Sequence, residues 1–292
     1  MGIFSNKKIS LALDSGSAKG MAHIGVIEEL KKNGYQITAI AGTSMGAVVA
    51  AYYSFGKLNV LKEWLTSLNK KSTFKTIDFS LSGGFIGGKK LLHAFEEHLG
   101  DALIENAKIP LYIVATNLDT GKEHIFTEGS VMHAIRASIS VPGVMRPYLY
   151  NDNYFVDGAV TNPLPVDVLH NNKHKNIIAV HLHEHIEERD NTSNPGVLET
   201  MLRSMSIVSR YLAIAKMHEA VAVIEPNVAE VDMFHFYQAS EVIQKGQQAA
   251  HIAIKNGSLD SLALKLLSHF KEKISDRIVH IMTKKSEKKY KK

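Results

Sequence analysis

Residues 37–56 read ITAIAGTSMGAVVAAYYSFG and contain no charged side chain. The stretch is long and apolar enough to cross a bilayer as a single helix. Its centre, however, is a Gly-Thr-Ser-Met-Gly turn, and a spanning helix would have to be continuous there. Residues 37–42 are typical of a buried strand, and residues 45–55 form a helical segment too short to span. The stretch therefore predicts a strand, a tight turn and a helix, apolar because protein covers both faces of the sheet.

The order of strand, turn and helix recurs along the chain. Residues 9–13 are a short apolar run closed by a turn, and residues 21–34 carry apolar residues at helical spacing. Further patterns predict helices at 58–68, 89–99 and 131–137 and strands at 110–118, 124–129, 153–160 and 176–182. This alternation predicts an α/β fold whose mostly parallel central sheet is flanked by helices.

The hydrophobic pattern changes after residue 198 and there predicts long helices at 198–220, 241–255 and 259–282. These segments carry regular charges, so none of them reads as a membrane span. We expect a catalytic α/β domain over residues 7–190, a helical extension packed on it over 191–283, and a basic tail over 284–292. Residues 190–195, DNTSNP, form the best candidate linker between the first two parts.

The Gly-Thr-Ser-Met-Gly turn fits the pattern G-x-S-x-G, with Ser44 at its centre. A buried strand before the serine and a helix after it are the context of a nucleophile elbow, which projects the hydroxyl from the end of the sheet. The flanking Gly42 and Gly46 suit a turn with no room for a Cβ atom. The N-terminus of the following helix favours negative charge at the serine. Ser44 is the candidate nucleophile.

A serine hydroxyl is a weak nucleophile and needs a base. The histidines at positions 170, 174, 181, 183 and 185 all lie downstream of Ser44, so a Ser–His–Asp arrangement stays open. The last three alternate along a strand end, which indicates either a metal site or a surface strand end. Asp157, in FVDGAVTNPLP, is a sharper candidate because it stands at a strand end before a proline-containing loop. An ordinary Asp–Gly turn is the alternative for this residue.

Residues 16–20, Gly-Ser-Ala-Lys-Gly, form a loop of mostly small residues between a strand and a helix. Such a loop presents backbone N–H groups to an anion, either an oxyanion in acyl transfer or a phosphate. The dinucleotide pattern G-x-G-x-x-G is not met, since Ser15 and Ser17 occupy glycine places. Residues 83–90, GGFIGGKK, have the spacing of a P-loop but carry Lys90 where a magnesium-binding Ser or Thr is required.

Four blocks together resemble the bacterial patatin-like phospholipases: LALDSGSAKGMAHIGVIEEL, GTSMGA, RASISVPGVMRP and VDGAVTNPLPVDV. The resemblance covers residues 9–183 and implies a three-layer patatin-like fold and a serine lipid acyl hydrolase with a Ser–Asp dyad, no catalytic histidine and no cofactor or metal. It assigns Ser44 as the nucleophile and Asp157 as the general base. The backbone donors of the oxyanion hole would be Gly16, Ser17 and Ala18. The residues that support these motifs would be Gly42, Gly46, Lys19, Gly20 and Gly158.

The loop departs from the family pattern of consecutive glycines, because it reads Asp14-Ser15-Gly16-Ser17. A positive φ at Ser17 would cost about 1–3 kcal/mol of strain. Asp14 places a carboxylate near the oxyanion donors, where it would oppose a developing negative charge. These departures leave a second function open, a catalytically weakened patatin-like protein that binds lipid or acts as a regulatory adaptor.

The chain has no cysteine, which excludes disulfides, thiolate metal sites and a cysteine nucleophile. Its last nine residues, KKSEKKYKK, hold six lysines and one glutamate and so account for the whole formal charge of +5. This tail fits either a solvated end or a peripheral contact with anionic membrane. The rest lacks a basic face interleaved with aromatic residues, so we expect no nucleic-acid partner. With no secretory signal pattern, we expect a cytoplasmic protein.

Overall fold

The charge-free stretch folds into strand β2 (Gln36–Thr43) and helix α2 (Met45–Ser54), with Ser44 between them. The computed structural model of the protein describes residues 7–71, 73, 89–182 and 194–259. No helix in these ranges is long and apolar enough to cross a bilayer.

The remaining elements follow the predicted alternation. The other strands are β1 (Lys8–Leu13), β3 (Leu111–Asn117), β4 (Lys122–Phe126), β5 (Tyr148–Tyr150), β6 (Asn153–Asp157), β7 (Ile177–Val180) and β8 (Ala222–Ile224). The other helices are α1 (Ala22–Lys32), α3 (Leu58–Ser67), α4 (Lys89–Leu99), α5 (Val131–Ser138), α6 (Val166–Asn171), α7 (Val197–Met217) and α8 (Ala239–Lys255). Short 3-10 turns include Ser17–Met21 and Gly158–Val160.

The strands form one sheet in the order β5-β6-β3-β2-β1-β7-β8, with β4 paired to β3 beside this path. Strands β3, β2, β1, β7 and β8 pair in parallel. The carboxyl ends of these parallel strands therefore lie at one edge, where ligands bind in open α/β sheets. Strands β4, β5 and β6 join by antiparallel pairing.

Strand β3 brings the ends of β2 and β6 together. Strand β4 pairs with residues 113–117 of β3, so β2 and β6 must share the opposite edge. On that edge Thr43 of β2 faces Val114, and Asp157 of β6 faces the next residue, Ala115. The two strands run toward each other and end side by side. The register of β3 thus places Asp157 next to Ser44.

Two apolar cores cover the two faces of the sheet. The larger includes buried residues of α1, α2, α5 and α8, and the smaller includes residues of α6 and α7. Helix, sheet and helix form three layers, which confirms the predicted fold class.

Three elements were missed by the sequence patterns: β5, α6 and β8 each have only three to six residues. Strand β8 lies in the part of the chain predicted to be helical, and it extends the central sheet by pairing with β7. The predicted helix at 241–255 is α8, and that at 198–220 is α7. Most of the predicted helix at 259–282, the linker at 190–193 and the tail lie outside the described residues, and the domain limits stay predictions.

Candidate active site

Ser44 lies in a strained turn at the carboxyl end of β2. Its backbone has φ 55° and ψ −122°, a conformation that costs a non-glycine residue of order 1–3 kcal/mol. The glycines on both sides permit the close packing of this turn. A Cβ atom on Gly42 would lie 2.3 Å from the carbonyl oxygen of Gly46, and one on Gly46 would lie 2.5 Å from that of Leu13. This geometry is that of a nucleophile elbow.

The Ser44 hydroxyl donates a hydrogen bond to the carboxylate of Asp157, with 2.6 Å between Oγ and Oδ2. Both side chains are buried. The second carboxylate oxygen, Oδ1, accepts from the backbone N–H of Ala159 at 2.9 Å, which fixes the rotation of the carboxyl group. Gly158 allows this approach, because a Cβ there would lie 2.4 Å from the carbonyl oxygen of Val114.

Burial raises the pKa of Asp157 from 3.8 to about 6, although the hydrogen bonds from Ser44 and Ala159 favour the ionised form. Burial thus makes this carboxylate a stronger base than an exposed aspartate. A base is most effective when its pKa lies near the working pH. The environment of Asp157 suits it to accept a proton from Ser44.

Two serines of helix α5 and the segment after it hold the elbow and the strand end in place. The Ser44 N–H donates to Oγ of Ser138 at 2.8 Å, and that hydroxyl donates to the carbonyl of Val114 at 2.6 Å. The Asp157 N–H donates to the carbonyl of Ser140 at 2.9 Å. Both serines belong to the block RASISVPGVMRP, but the sequence assigned them no role.

The loop of residues 16–20 lines the same cavity as Ser44 and Asp157. Gly16 has φ 152° and Ser17 has φ 49°. The positive φ of Ser17 is the strained conformation that was considered from the sequence. Ser17 Oγ donates to the carbonyl of Met233 at 2.6 Å, which compensates part of that strain. Within the described part of the chain, no acceptor binds the backbone N–H of Gly16 or Ser17.

Ala18, the third predicted donor, uses its backbone N–H differently. It donates to the carbonyl of Met233 at 3.2 Å, so this N–H is engaged within the protein. Lys19 is buried and lines the cavity. Gly20 packs against Met45, whose Cγ would lie 2.5 Å from a Cβ at this position. Of the three predicted donors, Gly16 and Ser17 are thus the two whose backbone N–H groups have no acceptor among the described residues.

Asp14 and His181 form a buried pair behind this loop. They follow β1 and β7, whose last residues Leu13 and Val180 face each other in the sheet. His181 Nδ1 lies 2.5 Å from Asp14 Oδ2. Burial lowers the pKa of His181, but the hydrogen bond and charge of Asp14, with Glu225 nearby, outweigh burial and raise the pKa above its usual 6.5.

The interpretation of His181 as part of a surface strand end is wrong, because its side chain is only 2% exposed. Adjacent buried strands bring it to Asp14 instead. The Asp14 carboxylate thus has a buried hydrogen-bond partner that the sequence did not predict. His183 and His185 lie outside the described residues.

Two more of the candidate histidines, His170 and His174, also have partners away from Ser44. His174 Nε2 lies 3.0 Å from the Tyr112 hydroxyl, and His170 Nδ1 lies 3.5 Å from Glu219. In the described ranges, no group of three or more His, Asp or Glu side chains is placed to hold a metal ion. Most of the segment with P-loop spacing, residues 83–88, lies outside those ranges.

Two cavities meet at Ser44 and share Ser17, Val141 and Met233. The first, the polar chamber, has a volume of about 100 Å³ and is lined by Asp157, the loop of residues 14–17 and one face of α7. The second, the apolar groove, has a volume of about 90 Å³ and is lined mainly by apolar side chains from α2, α3, α4 and residues 139–145 and 233–236. Ser44 therefore stands between a polar and an apolar compartment.

Comparison with known proteins gives a match to the family "Patatin-like phospholipase" over residues 11–170. An uncharacterised NTE family protein of Mycobacterium tuberculosis is 41% identical over 163 residues, which cover 56% of this chain and 45% of the relative. Another from the same species is 26% identical over 278 residues, 86% of this chain and 47% of the relative. The chain thus spans about half the length of these curated relatives.

Relatives with functional names are more distant. Neuropathy target esterase sws of Drosophila melanogaster is 28% identical over 183 residues, covering 60% of this chain and 13% of the relative. A lysophospholipase of Meyerozyma guilliermondii is also 28% identical over 183 residues, 61% of this chain and 13% of the relative. The crystal structure of VipD from Legionella pneumophila aligns with a TM-score of 0.47 at 15% identity, covering 88% of this chain and 67% of that one.

Proposed function

The chain belongs to the patatin-like phospholipase family, and on that premise we propose that it hydrolyses fatty acyl esters of lipids through an acyl-enzyme on Ser44. The observation that carries the proposal is the 2.6 Å hydrogen bond from the Ser44 hydroxyl to the buried Asp157 carboxylate at a nucleophile elbow. An esterase and a lysophospholipase among the relatives support the same reaction type.

In the first step, Asp157 accepts the hydroxyl proton as Ser44 Oγ bonds to the ester carbonyl carbon. The carbonyl π electrons move to its oxygen and form an oxyanion, which the N–H groups of Gly16 and Ser17 bind. Donors oriented before the reaction need no reorganisation as the charge forms, and removing one commonly costs 10²–10³-fold in kcat. The protonated Asp157 then gives its proton to the leaving alcohol oxygen as the ester bond breaks.

In the second step, water attacks the acyl-enzyme. Asp157 accepts a proton from the water, whose oxygen bonds to the acyl carbon and forms a second oxyanion in the same loop. Collapse of this intermediate releases the fatty acid, and the proton returns to Ser44 Oγ. No histidine is required in either step, because the raised pKa of Asp157 lets a carboxylate serve as the base.

The apolar groove is the proposed site for the acyl chain. Its walls include Val48, Trp64, Leu65, Phe95, Ile139 and Met145. Each buried methylene of a substrate contributes about 0.8 kcal/mol, so a groove of this composition favours longer acyl chains over acetate. We expect kcat/KM for nitrophenyl esters to rise with chain length until the groove is filled.

The test combines covalent labelling with turnover. A fluorophosphonate probe should label the wild-type protein at Ser44, and Ser44→Ala should abolish both labelling and nitrophenyl ester hydrolysis. Ser204→Ala is the matched control, since this exposed serine on α7 only bonds to its own helix backbone, and it should retain both. A wild-type protein that neither reacts with the probe nor hydrolyses esters would instead support the weakened, lipid-binding adaptor.

Membrane contact by the tail stays a separate prediction, because residues 284–292 lie outside the described residues. Six lysines there would each add about 1 kcal/mol of attraction to anionic lipid. Pelleting with anionic vesicles, with and without these residues, measures that contribution. Equal pelleting of both forms would contradict it.

A further inference from the structure

Part of the lining of the polar chamber comes from residues outside the range of the family match. The match ends at residue 170, whereas helix α7 begins at Val197. One face of α7 enters the lining of the chamber at helical spacing, with Leu202, Met205, Ser206, Ser209, Arg210 and Ala213. Residues outside the family match therefore help to form the space next to Ser44.

Two side chains fix how α7 lies against the site. Ser209 Oγ donates at 3.0 Å to the carbonyl of Ala159, the residue whose N–H holds the Asp157 carboxylate. About two helical turns after Ser209, Lys216 forms an ion pair with Asp167 of α6. These anchors set the rotation of α7 so that the residue after Ser209 faces the chamber.

That residue is Arg210, which lines the chamber. Its Nε is buried, and no acceptor within the described residues bonds to it. A buried donor without an acceptor is costly, and such groups in a native protein call for an explanation. The planar guanidinium can donate two parallel hydrogen bonds to two oxygens of one anion, such as a phosphate, and a lysine cannot match this geometry.

The charges around Arg210 leave it available to an anion. Asp14 is paired with His181, and Asp157 is hydrogen-bonded to Ser44 and Ala159. Among the described residues of the lining, Arg210 is the cationic side chain with a buried nitrogen that lacks an acceptor. The chamber has a volume of about 100 Å³, which is enough for several water molecules or for one phosphate group.

We propose that Arg210 is a specificity-determining residue that binds the phosphate of a phosphoester lipid while the acyl ester of that lipid lies at Ser44. The inference rests on the proposed function, and it assigns the two compartments to two parts of one substrate. The acyl chain enters the apolar groove, and the phosphate enters the polar chamber. A single-chain lipid with a phosphate on its glycerol, a lysophospholipid, fits this division.

The test compares two substrates that share one medium-length acyl chain, a lysophosphatidic acid and a monoacylglycerol, both below their aggregation concentrations. For the wild type, kcat/KM should be higher with the phospholipid. Arg210→Gln should lower the ratio of the two kcat/KM values by about 10- to 100-fold, the range for one charge-assisted hydrogen-bonding group. Arg210→Lys keeps the positive charge but loses the two parallel N–H donors of the guanidinium. Its ratio should lie between those of the wild type and Arg210→Gln.

Lys255→Gln is the control, because it removes one positive charge from an exposed position at the end of α8. It should leave the ratio unchanged. Equal loss of both activities in Arg210→Gln, or an unchanged ratio, would overturn the proposal and indicate a structural role for Arg210. Failure of the proposed function would look different, since the wild type would then hydrolyse neither lipid nor nitrophenyl esters.

A second measurement separates a lipid headgroup from free phosphate. Inorganic phosphate and glycerol 3-phosphate should inhibit nitrophenyl ester hydrolysis by the wild type, and Arg210→Gln should be inhibited less. Inhibition by phosphate together with equal turnover of the two lipids would contradict the headgroup assignment, because the chamber would then take only the free anion.

Discussion

Two buried carboxylates line the polar chamber, and their surroundings differ. Asp157 bonds to a hydroxyl and a backbone N–H, and burial outweighs these bonds and raises its pKa to about 6. Asp14 has His181 at 2.5 Å and accepts the Leu182 N–H at 3.2 Å. Pairs of acids in one site take different roles when their environments differ. The comparison supports the proposed role of Asp157 as the base and indicates that Asp14 is held by its hydrogen bonds to His181 and Leu182.

The largest expected difference between the two acids is in activity. Asp157→Asn removes the proposed base and should lower kcat/KM for a nitrophenyl ester by about 10²–10⁴-fold, the usual contribution of a general base. Asp14→Asn touches only the support of the oxyanion loop and should cost at most about 100-fold, as misplacement of a catalytic group does. Steady-state kinetics on folded variants measures both. A larger loss from Asp14→Asn than from Asp157→Asn would reverse the assignment.

The two substitutions should change stability in opposite directions. For Asp157, the shift from 3.8 to about 6 means that the folded state binds the proton more tightly than the unfolded state. Above about pH 6 the ionised, buried carboxylate therefore costs stability on the order of 3 kcal/mol. Asp157→Asn should raise the free energy of unfolding by about that amount at pH 8, and the gain should vanish as the pH falls below 3.8. Urea unfolding at several pH values measures it, and a loss of stability at pH 8 would be inconsistent with an uncompensated carboxylate.

Asp14→Asn should destabilise the protein by roughly 2–3 kcal/mol near pH 6, because it leaves His181 buried without its carboxylate. The folded pKa of His181 is raised, so the contribution of the pair is fully present below 6.5 and is lost as the pH rises through the raised value. The stability difference between wild type and Asp14→Asn should therefore shrink toward pH 9. A difference that does not change with pH would show that His181 is not charged in the folded protein.

The smallest expected effect concerns the strain in the loop beside Asp14. Ser17→Ala loses the hydrogen bond to Met233 and keeps the positive φ, whereas Ser17→Gly loses the bond and relieves the strain. The glycine variant should therefore be more stable than the alanine variant by about 1 kcal/mol. Thermal or urea unfolding of the two variants measures this difference directly. Equal stabilities would mean that φ 49° carries no cost at this position.

Features encoded within a few residues could be predicted from the sequence. A buried strand, two glycines and a buried helix surround Ser44 within one continuous segment, so the G-x-S-x-G motif and the apolar pattern around it predicted the elbow. Asp157 needed more, since only the resemblance distinguished it from an ordinary Asp–Gly turn. Its position beside Ser44 depends on the register of β3, which no local pattern records.

Features that depend on the order of strands could not be predicted. Asp14 and His181 meet because β1 lies beside β7, and the sequence showed only that each follows a buried strand. The Ala18 N–H bonds to Met233, which comes from a connection far along the chain. Arg210 resembled any other charge on a surface helix until the contacts of Ser209 showed which face of α7 is turned to the site.

The pH dependence of kcat/KM for a nitrophenyl ester, measured in wild type and in Asp14→Asn, tests the central claim most directly. If Asp157 is the base, activity should fall below about pH 6 with a single ionisation, and Asp14→Asn should leave that midpoint in place. If His181 were the base, the midpoint would lie above 6.5 and would move down in Asp14→Asn, because the cause of the raised pKa of His181 would be gone. That second result would contradict the dyad of Ser44 and Asp157.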